Sequence, residues 1–179
     1  MKTWVVLLRG INVGGRNVLK MAELRTLLKE IGCKDVKTYI QSGNCVLNSN
    51  ITDATKLSSH IAATIKTKFD YDVPAFALTA ENMTRAINNN PYPVEEVAQK
   101  TVHLFFLSEP ALNANIEQLE SLRDATENYE LLDDVFYLHA PNGIGHSKLA
   151  AKAEKCLGVS ITARNLRSVN KILALTEKE

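Results

Sequence analysis

The spacing of hydrophobic residues in the first half of the chain predicts six elements of secondary structure. A continuous apolar run of six residues at the start is short enough for a buried strand. Apolar residues at intervals of three and four predict amphipathic helices. A Ser-Gly-Asn turn between two short β-prone runs predicts a hairpin. In order, the predicted elements are a strand over residues 3–8, a helix over 21–31, strands over 37–41 and 45–48, a helix over 53–69 and a strand over 73–78.

This β-α-β-β-α-β order is that of the ferredoxin-like plan, an antiparallel sheet with both helices on one face. The first strand is nevertheless apolar on both faces, because Trp4, Val6 and Leu8 alternate with Val5 and Leu7. We therefore expect the face away from the helices to be covered too, by the second half of the chain.

The second half repeats part of this order after a break in regular structure. Asparagines and prolines from Asn88 to Pro93 stop a short helix over residues 81–88, and we place a boundary there between subdomains 1–90 and 91–179. The later elements are a strand over 101–107, a helix over 112–122, a hairpin over 129–139 turned by Asp133-Asp134, and helices over 147–157 and 162–175. The predicted fold class is α+β, with a β-α-β-β-α-α second half related to the first.

Composition and charge narrow the class of protein. The 179 residues are 45% hydrophobic and 23% charged, as in a packed globular protein, and no apolar run approaches the length of a membrane span. The start of the chain has too short an apolar core for a signal peptide, so we expect a cytoplasmic protein with no membrane partner. The three cysteines are widely spaced and predict neither disulfides nor a zinc site. The net charge of +1 conceals two basic segments around an acidic middle, residues 109–134.

The loop Arg9-Gly-Ile-Asn-Val-Gly-Gly-Arg-Asn-Val-Leu-Lys20 is the first candidate site. It joins a predicted strand to a predicted helix with three glycines and three cations. Glycines let the backbone approach a ligand closely, and the start of a helix has unpaired N–H groups. We therefore expect the ligand to be a phosphate or a carboxylate. The spacing fits neither a P-loop nor a dinucleotide-binding loop. An alternative is a loop that needs glycine only to turn.

Polar residues elsewhere extend this candidate site. Gln41 and Asn44 belong to the polar hairpin, while Ser147 and Lys148 open a helix after a glycine-containing loop. Arg164 and Asn165 fall in the first turn of the last predicted helix, where backbone donors are free. The predicted ligand-binding residues are Arg9, Gly10, Asn12, Gly14, Gly15, Lys20, Gln41, Asn44, Ser147, Lys148, Arg164 and Asn165.

Catalytic signals are weak. No spacing nominates a nucleophile, a base and an orienting acid, and no metal-ligand motif is present, so we predict neither a metal nor another cofactor. His146, in a glycine-flanked loop, is the single histidine that we nominate as an acid or base. The catalytic residues otherwise stay unknown.

Five segments of the chain resemble a known bacterial family. They are Arg9-Gly-Ile-Asn-Val-Gly-Gly15, Met21-Ala-Glu-Leu24, Thr38-Tyr-Ile-Gln-Ser-Gly-Asn44, His146-Ser-Lys-Leu149 and Ala163-Arg-Asn165. Together they resemble the family called domain of unknown function 1697. The resemblance implies an α+β fold built from ferredoxin-like pieces, and it supplies no substrate. The family pattern has an arginine before Ser-Lys and an aromatic residue after Arg-Asn, whereas this chain has His146 and Leu166.

Three functional hypotheses follow. The first is a protein that binds a phosphorylated ligand, either a nucleotide or a nucleic-acid phosphate. The second is an enzyme that acts on a phosphorylated small molecule, with His146 or Ser147 in the chemistry. The third is a structural or protein-interaction module without a ligand, whose glycines serve only the fold. The sequence leaves the oligomeric state open.

Overall fold

The computed structural model describes residues 1–177 and divides into two compact units. Unit 1 contains Met1–Thr84 and the C-terminal residues from Lys171 onward, and unit 2 contains Arg85–Asn170. The first elements are β1 (Lys2–Leu8), α1 (Met21–Glu30), β2 (Lys34–Tyr39), β3 (Asn44–Ser49), α2 (Ala54–Phe69), β4 (Ala75–Leu78) and α3 (Ala80–Asn88). After a 3-10 helix, Glu96–Thr101, come β5 (Val102–Leu107), α4 (Ile116–Leu122), β6 (Asn128–Leu132), β7 (Val135–His139), a second 3-10 helix (Ile144–His146), α5 (Lys148–Leu157), β8 (Ile161–Asn165) and α6 (Leu166–Ala174).

Unit 1 is built on an antiparallel sheet with the order β2-β3-β1-β4. On one face, Trp4, Val6 and Leu8 of β1 join a core with apolar residues of α1 and α2. Val5 and Leu7, on the opposite face, are also fully buried. The prediction that both faces of β1 are withdrawn from water is therefore confirmed.

Side chains of unit 1 fix where its helices begin. Asp53 caps α2, because its carboxylate accepts a hydrogen bond from the Lys56 amide at 2.7 Å. A helix start without such a partner would leave its first backbone donors unsatisfied.

Unit 2 has a second antiparallel sheet, with the order β6-β7-β5-β8. Phe105, Leu107, Phe136 and Leu138 on one face pack with Leu119 of α4 and four apolar residues of α5, namely Leu149, Ala153, Cys156 and Leu157. If the strands of each unit are numbered separately, both sheets have the order 4-1-3-2. This confirms an α+β fold of two ferredoxin-like pieces.

One predicted element of unit 2 is wrong over its first part. The expected helix over residues 162–175 is two elements, the strand β8 and the helix α6. Ile161 and Thr162 are β-branched and favour a strand, and β8 pairs along β5 with Phe105 opposite Ala163. The helix begins only at Leu166, because the Asn165 side chain accepts from the Ser168 amide at 2.9 Å. The second half is therefore β-α-β-β-α-β-α.

Helix α4 is also shorter than predicted. It begins at Ile116 rather than Leu112, and the Asn115 side chain accepts from the Gln118 amide at 2.9 Å. In both corrections the start of the helix is set by an asparagine that caps it.

No helix in the described part of the chain is both long enough and apolar enough to cross a membrane. The three cysteines are free thiols in buried positions.

Candidate functional site

The glycine loop of unit 1 is a small hairpin that turns at Gly14-Gly15. Val13 and Arg16 form an antiparallel bridge, and the Arg16 amide donates to the Val13 carbonyl at 3.0 Å. Gly14 and Gly15 have φ angles of +57° and +73°. Two successive positive φ angles are those of a type I′ turn, which strongly favours glycine. The turn therefore gives both glycines a role in the backbone, before any ligand is considered.

Asn12 holds the base of this hairpin. Its side-chain amide donates to the carbonyls of Leu19 and Gln41, both at 2.8 Å, and its side-chain oxygen accepts from the Leu19 amide at 2.9 Å. Leu19 is fully buried, so these bonds satisfy backbone groups that would otherwise be costly to bury. Asn12 therefore connects the glycine loop to the β2–β3 hairpin at Gln41.

Gly43 fits the β2–β3 hairpin closely against the end of β1. The Leu8 amide donates to the Gly43 carbonyl at 2.9 Å. A Cβ atom added at Gly43 would lie 2.6 Å from the Leu8 Cβ and 2.9 Å from the Ile11 Cδ1. Asn44, the next residue, is fully buried and donates to the Tyr39 carbonyl at 3.1 Å. The role of Gly43 in close packing was missed by sequence reasoning, which assigned it only to the turn.

Exposed positive charge lies on the hairpin and at its end. Arg16 and Lys20 are exposed, and neither forms an ion pair within residues 1–177. The amides of Gly14 and Gly15 also lack an acceptor in that part of the chain. Arg9 is half-buried, and its amide donates to the Pro74 carbonyl at 3.0 Å. The turn thus offers two backbone donors beside one exposed guanidinium, that of Arg16.

An acidic residue occupies the start of α1. The Glu23 carboxylate accepts from the Lys20 amide at 3.3 Å. The Glu23 carboxylate thus occupies the Lys20 N–H group, which would otherwise be free to bind an anion. It also places negative charge at the start of the helix. For an incoming anion, the Gly14-Gly15 turn is therefore a better position than the first turn of α1.

The predicted residues around α5 are arranged as a helix start. Ser147 is buried, and its hydroxyl accepts from the Ala150 amide at 3.0 Å, which makes it the N-cap. His146 ends the preceding 3-10 helix and is exposed, as is Lys148 in the first turn of α5.

The sequence predicted that Arg164 and Asn165 lie in the first turn of a helix. This prediction is wrong, because both residues belong to a strand. In β8, Arg164 pairs with Leu104 of β5, and Asn165 pairs with His103 of β5. The Arg164 guanidinium donates to the Thr162 hydroxyl at 2.9 Å and to the Ala163 carbonyl at 2.8 Å. Backbone pairing with β5 replaces the free donors that a helix start would offer.

Strand pairing brings the end of β8 and the approach to α5 to one end of the second sheet. Asn165 pairs with His103 near the start of β5, and Val102 pairs with His139 at the end of β7. The chain then leads from β7 toward α5. The twelve predicted ligand residues thus form two sets, eight in unit 1 and four in unit 2.

His103 is a polar residue at this end that sequence reasoning assigned to a strand and did not nominate. The residue is only 7% exposed, and its Nδ1 atom has no hydrogen-bond partner in the described chain. Burial lowers the pKa of the imidazole, and a hydrogen bond with the Thr101 backbone opposes this shift only in part. The ring is therefore neutral near pH 7. A histidine within an apolar strand gives no sequence signal that its nitrogen will lack a partner.

The described residues contain no candidate metal-binding site. Within residues 1–177, no three His, Cys, Asp or Glu side chains group in a way that could hold a metal ion.

The glycine hairpin and its neighbouring strands lie within the region that matches a known protein family. Residues 1–137 match the family model described as Protein of unknown function (DUF1697). The chain belongs to this family. The match covers the glycine loop and the Tyr39–Asn44 segment, whereas His146-Ser-Lys and Arg164-Asn165 lie beyond it. Membership in the DUF1697 family supplies no activity.

A solved structure supports the fold along almost the whole chain. The chain is similar to the conserved bacterial protein SP0830 from Streptococcus pneumoniae, with 22% sequence identity and a TM-score of 0.66. The similarity covers 98% of each chain. At this identity the comparison establishes the fold alone. No curated protein matches the chain.

Proposed function

We propose that the Val13–Arg16 turn of unit 1 binds the phosphate of an anionic ligand, a nucleotide or a nucleic-acid phosphate. The observation that carries the proposal is the combination of unbonded amides at Gly14 and Gly15 with the exposed guanidinium of Arg16. Phosphate oxygens accept hydrogen bonds from backbone N–H groups and from cations, and consecutive amides in a left-handed turn favour an anion.

Different residues would do different work in this site. The amides of Gly14 and Gly15 would donate to phosphate oxygens, while Arg16 and Lys20 would neutralise its charge. Asn12 would act indirectly, because its side chain already bonds within unit 1 and fixes the hairpin. Gln41 and Asn44 would support the neighbouring hairpin in the same way.

The four predicted residues of unit 2 would form a separate anion contact within that unit. Lys148 is the member best suited to this, since it is exposed in the first turn of α5. Ser147, Arg164 and Asn165 already bond within unit 2. These three residues would therefore stabilise the local structure around Lys148 rather than contact the ligand themselves.

A purely architectural role is the competing function, and specific contacts favour it. The type I′ turn favours glycine at both central positions, Asn12 satisfies buried backbone groups, and Gly43 allows close packing. Each of these residues thus has a structural reason to be where it is. The exposed cations are the residues that the architectural reading does not use.

Calorimetric titration separates these functions. We expect a nucleotide triphosphate or a short single-stranded RNA to bind the wild type, and Arg16→Ala with Lys20→Ala to weaken binding by about tenfold or more. Lys29→Ala, an exposed lysine in the last turn of α1, is the matched control and leaves affinity unchanged. Affinity should also fall as salt rises, because phosphate contacts release counterions.

Two results would decide against the proposal. Absence of binding heat for nucleotides, sugar phosphates and RNA would favour the architectural role. If turnover of a phosphorylated compound were found and His146→Ala abolished it with binding intact, the enzyme hypothesis would replace simple binding.

A further inference from the structure

The outer edge of β6 in unit 2 has backbone groups that no other strand satisfies. In an antiparallel ladder the N–H and C=O of one residue point to the same neighbouring strand, and this direction alternates along the chain. Beside β7, the Asp134 carbonyl accepts from Leu107, and the Ala140 amide donates to Thr101 on the β5 side. Even-numbered residues of β7 therefore face β5, and odd-numbered residues face β6.

This alternation identifies the outward residues of β6. Tyr137, an odd-numbered residue of β7, pairs with Glu130, so the backbone of Glu130 points inward to β7. The backbone groups of its neighbours, Tyr129 and Leu131, consequently point outward. Across the described residues, no group donates to or accepts from them, and β6 is the last strand of its sheet. Two N–H and two C=O groups are left for an added strand.

The outer edge of β2 in unit 1 carries features that β6 lacks. Its pairing with β3 shifts register between Lys34 and Lys37, and Asp35 has a φ angle of +52°. Bulges and lysines on an edge strand discourage pairing with another chain. The register of β6 with β7 is regular over all five residues, and β6 contains no lysine or proline.

Open grooves follow the β6 edge. One, of about 380 Å³, has Ile116, Tyr129, Glu130 and Leu131 in its lining. A second, of about 680 Å³, shares Leu131 and includes Leu112. Leu112 is 89% exposed and Ile116 is 52% exposed, so apolar side chains of an added strand would bury surface against both.

The charge around this edge is negative. The segment 109–134 has eight acidic residues and one cation, Arg123. Arg123 is engaged by Glu120 at 2.6 Å, and Arg85, which lines the second groove, lies 3.6 Å from Asp134. Glu130 and Asp133 form no ion pair within the described part of the chain. A partner would therefore need positive charge.

We propose that β6 accepts an extended basic peptide segment, which adds to the sheet as a fifth strand. Such strand addition takes affinity from backbone bonds and specificity from alternate side chains. Tyr129 and Leu131 pack with the core on the helix side of the sheet, so residues opposite them should be apolar and lie beside Ile116 and Leu112. The residue opposite Glu130 points to the other face and should be Lys or Arg. The recognised pattern is apolar-basic-apolar.

This surface lies in unit 2 and is independent of the phosphate site proposed for the unit 1 hairpin. Its test uses a fluorescent peptide, acetyl-Lys-Leu-Lys-Val-Lys-amide, with fluorescence anisotropy and amide hydrogen exchange of the full chain. At saturating peptide, we expect exchange of the Tyr129 and Leu131 amides to slow by about tenfold or more. The Glu130 amide, already bonded to β7, should be protected with or without peptide.

Two control peptides and two pairs of substitutions identify the interaction. A peptide with its Leu and Val nitrogens methylated loses the strand bonds, and one with Glu in place of Lys loses the charge match, so both should bind at least about tenfold more weakly. Glu130→Lys and Leu112→Ser should weaken the basic peptide about fivefold, whereas the exposed pair Glu96→Lys and Val97→Ser should not.

The proposal is overturned if the wild type does not bind the basic peptide. It is also overturned if the methylated or acidic peptide binds equally well, or if exchange at Tyr129 and Leu131 is unchanged by bound peptide. Circular dichroism of each variant verifies that Leu112→Ser and Glu130→Lys are folded, which both exposed positions permit.

Discussion

At the level of single residues, His103 is the described residue with a buried side-chain nitrogen that lacks a hydrogen-bond partner. Its Nδ1 has no partner in the described residues although the residue is 7% exposed. A buried imidazole without a full set of hydrogen bonds resists protonation, because the charged form loses its hydration. The residue therefore connects the stability of unit 2 to pH.

We expect stability to fall as pH drops below the ordinary pKa of histidine. Because burial lowers the pKa of folded His103, the unfolded chain binds the proton first as the pH falls. The free energy of unfolding then decreases by up to about 1.4 kcal/mol per pH unit until the folded state also protonates. Urea unfolding at pH 7.5 and 5.5 measures this loss. His103→Gln should reduce it, and the exposed control His60→Gln should not; an equal loss in His103→Gln would contradict the assignment.

At the scale of elements, contact between the β2–β3 hairpin and the end of β1 depends on Gly43. The position has a φ angle of +74°, and an added Cβ would meet the Cβ of Leu8 rather than the flexible end of a side chain. The strand end and the hairpin cannot both keep their positions if that atom is present.

Gly43→Ala should be far more destabilising than Gly15→Ala, although the two glycines have nearly the same φ. Gly15 has a φ angle of +73° with no atom within 4 Å of an added Cβ, so alanine there costs only the left-handed backbone, about 1–2 kcal/mol. At Gly43 the steric clash adds a further ~1–3 kcal/mol. Chemical denaturation of both variants measures the difference. Equal losses would show that the hairpin moves aside without cost.

The sequence predicted most elements because their hydrophobic periods are local. The helices over residues 21–31 and 53–69, for example, have apolar stripes that need no knowledge of distant residues. The strand β8 was missed because its pairing with β5 joins residues about 60 positions apart in the chain, with Phe105 opposite Ala163. Such pairing can override a helical pattern in a short segment.

The candidate site was less predictable than the fold. The glycines and cations of residues 9–20 indicated a candidate anion site. The hairpin geometry of this loop, however, depends on the hydrogen bonds of Asn12 to Leu19 and Gln41. Sequence cannot show which amides remain unbonded once such contacts form. The close packing at Gly43 likewise depends on Leu8, which is distant in the chain and adjacent in space.

At the scale of the whole molecule, two units with the same strand order present different surfaces. Unit 1 carries exposed cations on its glycine hairpin, while unit 2 carries acidic groups along the β6 edge. Similar topology therefore does not imply similar ligands, because function resides in local groups placed on a fold. The phosphate proposal concerns unit 1, and the peptide proposal concerns unit 2.

In the proposed phosphate site, the Gly14-Gly15 turn donates its amides to phosphate oxygens. Titration of the ¹⁵N-labelled chain with a nucleotide triphosphate, followed by NMR of backbone amides, tests it most directly. We expect the Gly14 and Gly15 signals to move downfield in a saturable manner, and Arg16→Ala to reduce the affinity measured at both. Binding that leaves these two amides unmoved, or no binding at all, would contradict it.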